Sequence, residues 1–73
     1  MRENTKYEII IYWSNEDNVY IADVPELQSC MAHGNTYYEA LKNIEDAIDL
    51  WLETAELNDL TIPAPKGRRL MFA

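Results

Sequence analysis

The chain is 73 residues long and carries 13 acidic against 6 basic side chains, for a net charge of −7. A free-standing nucleic-acid binder draws most of its affinity from neutralising phosphates and is usually basic, so this balance speaks against direct binding to nucleic acid and for a basic protein partner. One small domain of this length buries only about 60% of the surface its unfolded chain exposes, which makes oligomerisation or a partner useful to it. Cys30 is alone, so no intrachain disulfide can form, and a lone thiol fits a reducing cytoplasm. The polar start "MRENTKYE" lacks the apolar core of a signal peptide, and no apolar run reaches bilayer-spanning length.

The first predicted element is a strand over Lys6–Ser14, "KYEIIIYWS", rich in β-branched and aromatic residues. A polar turn, "SNEDN", leads into a second strand, "VYIADV", which Pro25 closes because proline cannot donate to a ladder. After the "PEL" corner a third short strand runs from Gln28 to His33 and stops at Gly34, where a positive φ is free of cost. These strands form an antiparallel meander. In the first of them Tyr7, Ile9, Ile11 and Trp13 make the more apolar face and Glu8, Ile10 and Tyr12 the other.

Thr36 and Glu39 have the S/T-x-x-E spacing of a capping box and predict a helix start. Tyr37, Ala40, Leu41, Ile44, Ala47, Ile48, Trp51, Leu52 and Ala55 recur at three- and four-residue steps, the mark of one buried helical face. The helix ends near Asn58, a residue that tolerates a left-handed turn. Leu50 departs from the pattern: at about 100° per residue it points roughly 120° from the centre of the apolar stripe. "TIPAPKG" reads as an extended linker and "RRLMFA" as a fourth strand, giving the order βββ-α-β, an α+β fold with a helix crossover. One helix covers only one face of such a sheet. Ile10 and Tyr12 on the other face then form an apolar patch suited to a partner or a second copy of the chain.

Candidate chemistry is sparse. Cys30 and His33 lie three positions apart, and on a strand residues so spaced project to opposite faces, so the pair is a poor dyad. A structural zinc site needs about four ligands, and the chain has no other Cys or His. Glu45, Asp46, Asp49 and Glu53 fall on the solvated side of the helix. There is no G-x-S-x-G elbow, no glycine-rich phosphate loop and no dinucleotide fingerprint. No catalytic set, metal site or cofactor is therefore expected.

The run "VYIADVPELQSCMAHGNTYYEALKNIEDAIDLWLETAE" followed by "IPAP" resembles the HicB-type antitoxins of bacterial toxin–antitoxin systems. The resemblance rests on Tyr20, Ala22, Pro25, Glu26, Leu27, Cys30, Gly34, Thr36, Glu39, Ala40, Leu41, Ile62, Pro63 and Pro65, in that order and spacing. Gln28 and Ser29 stand where the family usually has Pro-Gly, and Asn58 where glycine is frequent. The resemblance implies a partial ribonuclease H-like fold without nuclease activity, and a partner: a small basic HicA-type ribonuclease whose RNA surface the antitoxin covers. Many such antitoxins also carry a C-terminal DNA-binding segment; the chain stops at Ala73, so direct DNA binding is not expected of it alone.

The leading expectation is a non-catalytic cytoplasmic antitoxin that binds a HicA-type toxin and self-associates. Glu8, Ile10, Tyr12, Glu45, Asp49 and Leu50 are its candidate contact residues. Two alternatives stand beside it: a small metal-dependent ribonuclease H-like nuclease using Glu8 with helix carboxylates, and a homo-oligomeric adaptor without a toxin.

Overall fold

The computed structural model describes residues 6–64. Three strands and one helix follow one another: β1 (Ile10–Ser14), β2 (Val19–Asp23), β3 (Met31–Gly34) and α1 (Tyr37–Leu57). The strands form an antiparallel sheet in the order β1-β2-β3, and α1 lies across one face, closest to β3 and β2. The α+β meander-plus-helix expected from the sequence is what forms. The expected fourth strand, residues 68–73, lies outside the described residues.

The hairpin β1–β2 turns through Asn15–Asn18, where the Asn18 N–H donates to the Ser14 carbonyl at 2.8 Å and Asn18 takes φ 57°. Asparagine tolerates that left-handed geometry better than most residues. After β2 the chain makes a compact corner in which Leu27 N–H donates to the Val24 carbonyl and Cys30 N–H to the Leu27 carbonyl, both at 3.1 Å. The corner puts Val24, Leu27 and Cys30 into the core.

α1 begins as its cap predicts. The Thr36 hydroxyl accepts from the Glu39 N–H at 3.0 Å, and the Glu39 carboxylate reaches back to the Asn35 N–H, one residue before the usual partner. Ala40, Ile44, Ile48, Leu52 and Ala55 form its buried stripe. Together with Tyr7, Ala22, Val24, Leu27 and Cys30 they make the core, which Ile9, Ile11, Leu41, Trp51 and Ile62 border. Burying side chains the size of Ile44 and Ile48 contributes about 1.5–3 kcal/mol each. Beyond the helix the chain returns toward β1, where the Tyr7 hydroxyl donates to the Pro63 carbonyl.

Several local expectations are corrected. β1 starts at Ile10 rather than Lys6, so Glu8 precedes the strand instead of lying in it. β3 starts at Met31 rather than Gln28, because Ser29 adopts φ 62° and turns the chain just before it. Gly34 ends β3 for a reason other than a positive φ: a Cβ there would lie 2.5 Å from the Ala40 backbone nitrogen, so only glycine lets the helix start this close to the strand. At the other end of α1, Asn58 has φ −105° and the left-handed residue is Asp59, at φ 55°. Trp13 does face the helix side of the sheet, but lies beyond the helix's cover and stays 46% exposed. It packs edge-on against Tyr20 at 5.0 Å, and Tyr20 meets Tyr37 at 4.3 Å, an aromatic row at the end of the core.

Candidate functional site

Strand alternation and register decide what the uncovered face of the sheet carries. Ile10, Tyr12 and Ser14 of β1 point away from α1, opposite Asp23, Ile21 and Val19 of β2 respectively. Met31 and His33 of β3 continue the rows, pairing with Asp23 and Ile21. The open face is therefore a slab of Ile10, Tyr12, Val19, Ile21 and Met31, with Asp23, Ser14 and His33 as its polar members. Tyr12 is 45% and Met31 52% exposed. Asp23 stands between Ile10 and Met31, so the apolar area centres on Ile10, Tyr12, Val19 and Ile21; exposed apolar area among polar groups is a usual physical signature of a docking surface.

The sequence-derived contact residues fall on three surfaces. Ile10 and Tyr12 lie together on the open sheet face. Glu8 sits just ahead of β1, where its backbone N–H lies 3.4 Å from a Glu26 carboxylate oxygen. Glu45 and Asp49 occupy the flank of α1 that turns from the sheet, one helical turn apart. Leu50, 64% exposed, borders a groove on another side of that helix, beside β3. The alternation in "VYIADV" already signals that Val19 and Ile21 share one face of their strand. Met31 escapes such reasoning because it depends on where β3 begins.

Cys30 and His33 do not meet. Cys30 is buried in the core, and His33 stands exposed on the open face with its carbonyl bonded to Asn43 Nδ2 at 2.7 Å. Burial, and secondarily the Asp23 carboxylate, push the Cys30 thiol above its ordinary pKa, which leaves it neutral and a weak nucleophile. Tyr7 is likewise raised, by burial first and then by Glu26. Among the described residues no three His, Cys, Asp or Glu side chains converge as a metal site requires, and Glu8 is not gathered with the helix carboxylates. No helix among these residues is long and apolar enough to cross a membrane.

The chain is similar to a UPF0150 protein of Thermoplasma acidophilum, 40% identical over 65 residues that span 89% of this chain and 93% of the relative. A UPF0150 protein of Helicobacter pylori strain J99 is 41% identical over 52 residues, 71% of this chain and 72% of that one. One from a Synechocystis strain is 38% identical over 58 residues, covering 80% and 78%. No solved structure gives a significant match. The family model described as the HicB-like antitoxin of the bacterial toxin–antitoxin system matches residues 7–69, which include all three strands, the corner and the helix. The chain belongs to the HicB-like antitoxin family.

Proposed function

We propose that the protein is an antitoxin that binds a small basic HicA-type ribonuclease in the cytoplasm and covers its RNA-binding surface, without chemistry of its own. The observation that carries the reading is the open sheet face of Ile10, Tyr12, Val19, Ile21 and Met31, offered by a family member with a net charge of −7. An apolar patch supplies area to bury, and the surrounding acidity steers a basic partner and raises its association rate. Glu8, Glu45 and Asp49 would contribute to that field, and Ile10, Tyr12 and Leu50 to contact. The neutral, buried state of Cys30 supports inhibition by occlusion over covalent attack on a partner. Residues 68–73, as a fourth strand, would complete the partial ribonuclease H-like layout.

The same apolar face favours self-association as a second reading, since two copies meeting there would hide the patch without any toxin. Co-expression with a small basic protein encoded beside it tests the first. The expected result is co-purification and restored growth; a toxic neighbour that neither co-purifies nor is neutralised sinks it. The solution mass of the chain alone then tells whether the face is shared with a second copy, and magnesium-dependent cleavage of RNA by the pure chain would revive the nuclease alternative.

A further inference from the structure

A groove of ≈ 480 Å³ runs between α1 and the outer edge of β3. Ala47, Leu50 and Trp51 of the helix, Cys30 and Met31 on the strand side, and Leu60 line it. Leu50 and Leu60 are both more than half exposed, so the groove leaves apolar surface in water. Leu50, off the buried stripe by its helical angle, is thereby given a place.

The backbone beside the groove is arranged for pairing. Val24 N–H donates to the Cys30 carbonyl at 3.1 Å, which marks these two as a hydrogen-bonded pair in the register that continues through Asp23–Met31 and Ala22–Ala32. Such pairs alternate along an antiparallel ladder, so Ala32 and Gly34 turn their N–H and C=O groups to β2, and Met31 and His33 turn theirs outward. Among the described residues no strand lies on that edge. The outward His33 carbonyl accepts from Asn43 Nδ2 at 2.7 Å, an independent sign of its direction. Asn43, Ala47, Leu50 and Thr54 follow one another at steps of four, three and four residues, so a single helical stripe runs along the edge. Its first member caps one backbone carbonyl; the N–H and C=O of Met31 and the N–H of His33 face the edge beside the rest.

We propose that this edge and groove receive an extended, positively charged segment of a partner polypeptide, which adds to the sheet as a strand beside β3 and lays an apolar side chain against Leu50, Trp51 and Leu60. Strand addition gives main-chain hydrogen bonds and the groove gives side-chain selection. Charge selects the occupant. Asp46 and Glu53 are exposed and flank the stripe, about 70–90° round the helix. Lys42 is the one basic residue on α1, and the last turn has none to offset the negative helix C-terminus that overlies the groove. A second copy paired at this edge would bring two acidic helices together. The proposal concerns how a segment is held and stands apart from whether its owner is a toxin.

The test titrates the full chain with two short synthetic peptides, one alternating arginine with valine and one alternating glutamate with valine, read by amide and indole NMR shifts. The arginine peptide should bind with a Kd below about 1 mM. It should move the Met31 and His33 amides together with the Trp51 indole N–H, which donates to the Gln28 carbonyl at 2.9 Å. Leu50→Gln, at an exposed position that leaves the core intact, should weaken it roughly ten-fold, and N-methylation of alternate peptide amides should abolish it. Equal binding of the glutamate peptide, shifts confined to Tyr12 and Ile21, unchanged affinity in Leu50→Gln, or no binding at that concentration would each overturn the proposal. So would concentration-dependent shifts of Met31 and His33 without peptide, which would assign the edge to a second copy.

Discussion

Cys30 sits where the Val24–Cys30 corner closes on the core, its sulfur shielded from water and near the Asp23 carboxylate. Both surroundings disfavour the thiolate, burial the more strongly, and both act only in the folded protein. The folded pKa lies above that of the unfolded chain, so the thiol's contribution to stability is full below the unfolded value near 9 and is lost as pH rises through the folded one. Folded protein should therefore react with a thiol reagent at pH 8 far more slowly than denatured protein, with urea midpoints that fall above pH 9. Cys30→Ala should flatten part of that fall, with Tyr7 responsible for the remainder at higher pH because its phenol is raised in the same sense. A fast-reacting thiol in the native state would show that the corner opens readily. The sequence marks this residue as a small buried hydrophobe and the structure agrees. Cys30 lies one residue ahead of β3 but continues its register, so alternation sends Cys30 to the core and His33 to the open face as the spacing predicts.

At the scale of elements, the tightest constraint is the junction of β3 and α1. Gly34 has neighbours at 2.5 Å from the Ala40 nitrogen, 2.7 Å from the Glu39 carbonyl carbon and 2.8 Å from the Glu39 Cβ around the space a methyl would fill, and two of these are backbone atoms that cannot rotate aside. Gly34→Ala should thus push the helix start from the strand and cost about 1–3 kcal/mol, the range for overpacking a well-packed site. A chemical-denaturation midpoint reads this directly, and an unchanged midpoint would mean that the helix start shifts freely. The elements themselves were legible where a long pattern repeats: nine apolar positions at helical spacing and the Thr36 box placed α1 to within a residue. The strand ends were not. Lys6–Ile9 has strand-like residues yet pairs with no strand among the described residues, and the left-handed serine at position 29 gives no compositional cue of the turn a glycine would announce.

At the scale of the molecule, two chemically distinct surfaces emerge from one thin layering. Among the described residues a three-stranded sheet with a single helix leaves one sheet face uncovered, and the helix turns another flank away from the sheet. The sheet face is apolar with few charges, whereas the flank carries Glu45 and Asp49 among the acids that make the whole chain strongly negative. These roles separate in solution by their response to salt. Apolar contact persists as ionic strength rises, while steering by exposed carboxylates fades once the Debye length falls to about 8 Å near 0.15 M. Under the antitoxin reading, reversing Glu45 and Asp49 to lysine should slow association with the basic partner several-fold at low salt, flatten its salt dependence and leave the dissociation rate nearly unchanged, as expected when a charge acts at a distance. Tyr12→Ala should do the opposite, speeding dissociation at every salt concentration. Surface plasmon resonance across a salt series distinguishes the two. If the reversed pair instead speeds dissociation with association intact, the helix flank is itself buried by the partner, and the sheet face is left to a second copy of the chain.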